Sequence, residues 1–302
     1  MSLADLLHPV PLERFWAELW EKEVVHVRAG DRRRFAQLFA LEDVDRVIAF
    51  SVAPEAYGLV SAKTNVFQAA AAGPTDLGAV YAHFSAGHTV VVNEMQDRWE
   101  PVQGLANALQ RELGHPVRVN AYVTPPRTTG FRAHYDSHDV FVLQVHGAKR
   151  WSIFERGARL PLPFAEAGTE EEHEVASPGA CTQEIDLAPG DVFYVPRGVT
   201  HRAAALEDVS IHLTVGVYAH TWETVLRRAV TDLGGNDPTI DLPLPIGFVS
   251  GSSDAQAAEA GTRLRAAVED LDLVSARRDL AKRVRRQRRP APGRRFARSV
   301  GA

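Results

Sequence analysis

The chain has 302 residues, 45% of them hydrophobic and 24% charged, an ordinary globular balance with enough apolar material for one large domain with appendages or for two domains. No apolar run reaches the roughly 18 residues that a membrane-crossing helix needs, and MSLADLLHPVPLERFW lacks a basic region followed by a continuous apolar stretch, so neither a transmembrane helix nor a cleaved signal peptide is expected. Cys181 is the only cysteine, which excludes an intrachain disulfide and a cysteine-rich zinc site and fits a reducing, cytoplasmic setting.

In chain order, residues 11–22 (PLERFWAELWEK) place Phe15, Trp16, Leu19 and Trp20 at helical spacing, and EVVHVR (23–28) reads as a short strand. Leu41 to Phe50 reads as helix-rich, and the stretch from Ala79 to Val92 ends in a β run, HTVVVN. Leu105, Leu109 and Leu113 repeat every four residues and predict a helix ending near Gly114. Between about 117 and 219 the pattern changes. VRVNAYVTPP, HDVFVLQVHG, KRWSIFE, QEIDLAPGD, VFYVPRG and VSIHLTVGVY alternate with turn residues, the signature of a β-sandwich or barrel. Helical sequence returns at 221–233, a proline-rich link (DLPLPIG) follows, and 254–289 reads as one or two helices.

The net charge of −4 conceals a split. From Arg277 to Arg298 eleven basic residues face Asp279 alone, a local +10 that leaves −14 on the remainder. This run reads first as a solvated helix with a basic end or as a partner for the acidic body. Contact with RNA or another polyanion is the other reading, without interleaved aromatics to stack on bases.

The chemistry concentrates in two stretches. In A-H-Y-D-S-H-D (133–139), His134 and Asp136 are two apart, so on a strand both point to one face and can converge on one metal. In L-A-P-G-D-V-F-Y-V-P-R-G-V-T-H (187–201), a turn at Gly190-Asp191, a strand and a second turn at Pro196-Arg197-Gly198 deliver His201 as a third ligand. Two histidines and one carboxylate make the facial triad of non-haem Fe(II) oxygenases and leave positions open for a co-substrate and O2. Ligand type alone does not exclude zinc, manganese or nickel. His138, His146, His173 and His220 are read as surface or hydrogen-bonded residues. Lys149 begins a returning strand after the His146-Gly147 turn. Its ammonium either points into the barrel, where a dicarboxylate would neutralise it, or sits exposed on the turn like Arg150.

With VNAYVTPP (119–126), HYDSHDVFVLQVHGAKRW (134–151), LAPGDVFYVPRGVTHRA (187–203), SIHLTVGVYAHTW (210–222) and the opening FWAELWEKEVVHVRAGD (15–31), the chain resembles JmjC-type 2-oxoglutarate oxygenases, most closely the ribosomal oxygenase subgroup, over roughly residues 5 to 250. The resemblance implies a mainly β fold with flanking helices: a double-stranded β-helix (jelly-roll, cupin-like) catalytic domain over 1–220, a helical segment over 221–289 as a candidate dimerisation region, and a basic tail over 290–302. It also implies Fe(II) on His134, Asp136 and His201, and 2-oxoglutarate held at its far carboxylate by Lys149 and bordered by Asn120 and Thr214. Tyr122 is implied to lie near a protein or peptide substrate, and His212 to be a supporting or core residue.

Three departures stand out. Gly216 replaces a substrate-contacting serine of histidine-hydroxylating members, Ala133 replaces the proline before H-x-D, and the C-terminal winged-helix-like region is expected to be missing or cut short. The expected activity is hydroxylation of a ribosomal-protein side chain of the arginyl or histidyl kind. Hydroxylation of a peptide natural product, N-methyl-lysine demethylation, a cupin enzyme working without 2-oxoglutarate and a non-catalytic binding module remain competitors.

Overall fold

A computed structural model describes residues 1–50, 57–60, 68–69, 76–155, 172–234, a few isolated helical positions between 258 and 269, and 272–287. The proline-rich link and the arginines beyond 287 lie outside these residues. Met1–Ala219 form one compact unit and His220–Gln287 a second.

Among the described residues of the first unit thirteen strands pair antiparallel: β1 (Val25–Val27), β2 (Tyr57–Val60), β3 (Gln68–Ala69), β4 (Thr89–Val92), β5 (Val117–Thr124), β6 (His134–Asp136), β7 (Asp139–His146), β8 (Lys149–Phe154), β9 (Glu172–Glu174), β10 (Cys181–Leu187), β11 (Val192–Val195), β12 (His201–Ala205) and β13 (Ser210–Val217). Among the described residues the larger sheet runs β1-β11-β7-β13-β5-β4-β2-β3 and the smaller β10-β8-β12-β6-β9. Val140 and Val142 from the larger sheet pack with Trp151, Ile153, Ile185 and Leu187 from the smaller, so the two sheets close face to face as the expected jelly roll.

The larger sheet is buried on both faces, and the period of two decides what each face carries. In β5, Val117, Val119, Ala121 and Val123 pack on the helical side together with Ile211, Leu213, Val215 and Val217 of β13. The intervening residues form cross-strand pairs on the barrel side: Thr124 with Ser210, Tyr122 with His212, Asn120 with Thr214, and Arg118 with Gly216. Helix Glu100–Leu113 buries Val102, Leu105, Ala106 and Leu109 against the helical side. It stops at Gly114, whose φ of 71° and N–H to Gln110 O make a left-handed cap.

Residues 11–22 are helical as expected, but the α turn Leu12–Arg14 widens to a π turn over Phe15–Leu19, closed by Trp20 N donating to Phe15 O at 2.8 Å. This places Phe15 and Trp20 together on Tyr194 of β11, with ring centroids 5.0 and 5.6 Å away. The Tyr194 hydroxyl accepts from Glu21 N at 2.8 Å and donates to Asp139 at 2.6 Å, and Arg197 pairs with Glu21 at 2.7 Å. The opening segment is thereby stitched to the strand and turn that lead to His201.

Helices Leu3–Leu7 and Leu77–Ser85 and strand β12 were not expected. HRAAA contains no β-branched residue; β12 is a strand because it lies between β8 and β6.

Gly190 has φ +91°, and a Cβ there would collide with the Asp31 carbonyl oxygen and the Ala29 side chain. Its neighbour Asp191 accepts from Ala29 N at 2.8 Å and Ala188 N at 3.1 Å and meets His26 Nε2 at 3.0 Å, tying β1 to β11. Gly190→Ala should destabilise the chain by about 3 kcal/mol, a fall of roughly 6–12 °C in Tm by calorimetry. An unchanged Tm would mean this junction does not constrain the barrel.

Candidate metal centre

β6 and β12 are neighbours in the smaller sheet, and His134 stands opposite His201 in their register. Asp136 follows on the same face of β6. The three side chains therefore meet, as the sequence predicts: one ligand atom from each lies within 4.8 Å of the others, and His201 Nε2 is 3.6 Å from Asp136 Oδ2. All three are buried. His134 Nδ1 lies 2.8 Å from Arg132 O and His201 Nδ1 lies 2.9 Å from Val199 O. Those carbonyls fix the tautomer in which Nδ1 donates and leave each Nε2 lone pair for a cation. Gly198 N donates to Asp136 O at 2.9 Å, so the Pro196-Arg197-Gly198 turn is fastened to the ligand strand. Burial holds both imidazoles down to about 4, with His201 adding to the effect on His134, so both are neutral, ligand-competent bases near pH 7.

The triad lines a cavity with about 60 Å³ of room for water-sized groups. Lys149 is 3% exposed, which settles its alternative in favour of the barrel interior. Its Nζ donates to Thr124 Oγ1 at 2.9 Å and lies 3.4 Å from His212 Nδ1. Among the described residues no carboxylate pairs with it, and burial lowers it to about 7. The same burial, with Lys149 adding to it, holds His212 well below the usual histidine range. A buried cation without an anion is an incomplete site, and a carboxylate would complete it. The donor set and this ammonium together fit a divalent metal and an acidic co-substrate.

Asn120, Thr214 and Tyr122 all line the same cavity. Asn120 Oδ1 accepts from Glu94 N at 3.0 Å, and Tyr122 stacks on His212 with centroids 4.8 Å apart and planes 5° from parallel. Thr124, which touches Lys149 directly, was overlooked although it continues the Asn120, Tyr122 alternation. The reading of His138 needs correction: it is buried on the cavity wall, and its Nδ1 has no hydrogen-bond partner. As a histidine outside the H-x-D and P-x-G-x-x-H stretches it carries no sequence signal that sets it apart from a surface residue, and it immediately precedes the buried strand β7.

Residues 93–225 match the JmjC domain family. Human ribosomal oxygenase 1 is 30% identical over 243 residues, which cover 74% of this chain and 36% of that protein. A bifunctional lysine-specific demethylase and histidyl-hydroxylase, NO66, from Dictyostelium discoideum is 27% identical over 234 residues, 76% of this chain and 45% of that protein. The chain thus spans less than half the length of these curated relatives. Among solved structures, the Escherichia coli ribosomal oxygenase YcfD in complex with cobalt and 2-oxoglutarate superposes with a TM-score of 0.59 at 19% identity, covering 88% of this chain and 69% of that one. Fold and site define a JmjC-type β-helix around a His–Asp–His triad. The JmjC domain match covers residues 93–225, and the similarity of the chain runs to the ribosomal oxygenases.

Asp136→Ala removes the only carboxylate of the triad. Co(II) affinity, measured by titration calorimetry on the purified chain, should fall by more than roughly 100-fold; retention of wild-type affinity would exclude the triad as the metal site.

Proposed function

We propose that this chain is an Fe(II)- and 2-oxoglutarate-dependent hydroxylase of a protein side chain, with a ribosomal protein as the leading substrate. One observation carries the reading: a buried ammonium lacking an anion shares a cavity with a buried, neutral His–Asp–His set. His134, Asp136 and His201 would hold the metal. Lys149 and Thr124 would hold the far carboxylate of the co-substrate through a charge-assisted hydrogen bond, with Asn120 and Thr214 bordering it and Tyr122 toward the substrate side. When bound, iron with 2-oxoglutarate and O2 supplies the oxidising power to hydroxylate a C–H bond. The chain's own residues orient the ligands, keep their Nε2 atoms deprotonated, neutralise a dicarboxylate and exclude water. The names of the relatives support the ribosomal substrate, and the NO66 name keeps lysine demethylation as a second reading.

We further propose that the division near residue 220 separates catalysis from assembly, and that the chain is a homodimer. Helix Trp222–Gly234 exposes Trp222 (80%), Leu226 and Val230 four residues apart, a stripe that a second copy would cover. Light scattering should give twice the chain mass of 33.1 kDa; a single-chain mass at micromolar concentration would reject the dimer. A cytoplasmic setting is supported by the lone exposed thiol of Cys181. RNA contact by the basic run is supported only by the exposed charged face of helix Leu273–Arg286.

Because burial lowers Lys149 to about 7, binding a carboxylate must recruit a proton at higher pH. The apparent affinity for 2-oxoglutarate should weaken as pH rises from about 7 to about 9, with net proton uptake seen by calorimetry in buffers of different ionisation heat. Lys149→Ala should abolish the proton uptake. Binding that ignores both pH and Lys149 would favour a cupin enzyme that does without 2-oxoglutarate. The decisive functional experiment compares ribosomal proteins from a deletion strain and the wild type by mass spectrometry. One side chain should gain roughly 16 Da, a single oxygen atom, only where the enzyme is present. Identical masses throughout would rule out the ribosomal substrate.

A further inference from the structure

Helix Leu273–Arg286 carries Arg277, Arg278, Lys282, Arg283, Arg285 and Arg286 against Asp279 alone. Their placement around the helix says more than their number. Ala276 and Val284 are buried and Leu280 is half-buried, and the spacing of four puts these three on one stripe. The helix packs on helix Trp222–Gly234, with Arg228 and Asp279 3.7 Å apart between them. At about 100° per residue, Arg278, Lys282, Arg285 and Arg286 all point within roughly 60° of the direction opposite that stripe. Arg277 and Arg283 flank it, and all six cations are exposed. Asp279 is already engaged, accepting from Lys282 Nζ at 2.8 Å. Among the described residues no carboxylate pairs with Arg277, Arg278, Arg285 or Arg286. Arg285 Nε donates to Ala281 O at 3.1 Å, within its own helix. This face therefore offers several uncompensated guanidinium groups to an outside anion.

Three features decide what that anion is. Five of the six cations are arginines, whose planar forks each take two phosphate oxygens. From Arg277 to Arg286 the only exposed side chain that is not a cation is Ala281; the exposed Leu273 and Val274 lie in the first turn, outside that span. A protein partner would need an aromatic or large apolar anchor on such a surface, and a membrane-lying helix would insert the apolar stripe that is used here in packing. The same lack of aromatic rings leaves no platform for unpaired bases, which favours the regular phosphates of a duplex. Fourteen residues of helix reach about 21 Å, enough to follow several of them.

We propose that helix Leu273–Arg286 is a sequence-independent RNA-binding element, in which Arg278, Lys282, Arg285 and Arg286 neutralise backbone phosphates of a double-stranded segment. Binding of a phosphate backbone follows from the helix itself and is separate from the metal centre. The choice of RNA over DNA rests on the ribosomal reading above, because a ribosomal protein is met on RNA.

The test measures fluorescence polarisation of a labelled RNA duplex of about 20 base pairs and arbitrary sequence, titrated with the full chain from about 50 to 200 mM KCl. Wild-type protein should bind at micromolar concentration, and log K should fall linearly with log[KCl]. Replacing Arg278, Arg285 and Arg286 together by Gln, a good helix former, should weaken binding roughly tenfold or more and make the salt slope shallower by about two to three. Replacing Arg14, Arg32 and Arg33 by Gln removes the same charge from exposed positions of the first unit and should leave affinity within about twofold. In the wild type, amide exchange of peptides spanning 273–286 should slow when the RNA is added, a readout that needs no variant. A DNA duplex of the same sequence should bind no more tightly than the RNA. Several results would overturn the proposal: no wild-type binding at about 50 mM KCl, equal weakening by the two triple variants, undiminished binding by the helix variant, or unchanged exchange over 273–286. Tighter binding of the DNA duplex, of anionic phosphatidylglycerol vesicles or of polyglutamate would also overturn it. If ribosomal proteins show no mass change while the RNA is bound, the substrate reading fails and the helix keeps its role.

Discussion

His134 and His201 face each other across β6 and β12, and that single cross-strand pair sets the position of everything else in the cavity. It is an enforced meeting of two buried bases that the chain must keep uncharged. The enforcement is visible from both sides. Backbone carbonyls of Arg132 and Val199 accept hydrogen bonds from the two Nδ1 atoms, and the turn before His201 is anchored through Gly198 to Asp136 and through Arg197 to Glu21. The aromatic packing of Phe15 and Trp20 on Tyr194 then holds the opening segment against the strand that precedes the turn. A helix near the N-terminus thus stabilises a ligand geometry formed almost two hundred residues later.

The electrostatics of the cavity are asymmetric. Two imidazoles and a carboxylate sit on the smaller sheet, a lysine held by Thr124 begins β8, and an arginine lies over Tyr218 at the far end of the ladder. Burial lowers the basic groups at the lysine end and the triad, favouring their neutral forms until an anion or a cation arrives. The empty protein therefore avoids holding several unpaired charges in a dry interior, and binding restores the charge where it is used.

Much of this was legible in the sequence because strand geometry is so regular. H-x-D names two ligands by the period of two alone, and the G-D turn, strand and P-R-G turn deliver the third. Lys149 was ambiguous, since a lysine after a glycine turn is as easily exposed as buried; only the closure of the smaller sheet over the larger decides the matter. Strand β12 escaped notice because Ala203, Ala204 and Ala205 have little intrinsic preference for extended backbone and take it from their neighbours. The π turn at Phe15–Leu19 preserves the apolar face that made the helix predictable while altering its pitch. His138 is not legible because a histidine outside the ligand motifs reads by default as a surface or hydrogen-bonded residue, whereas its burial beside the start of β7 is a tertiary fact.

The ladder between β5 and β13 divides labour by parity. Residues 118, 120 and 122 and their partners 216, 214 and 212 line the cavity, with Thr124 behind them on Lys149, while the odd-numbered residues between them furnish the hydrophobic foundation. Chemistry and stability are thus encoded on interleaved but separate letters of the same two segments. Such a scaffold can diversify its ligand preferences by changing alternate positions while its foundation stays fixed. It tolerates no insertion of a single residue within either strand, because one added letter would exchange the two alphabets.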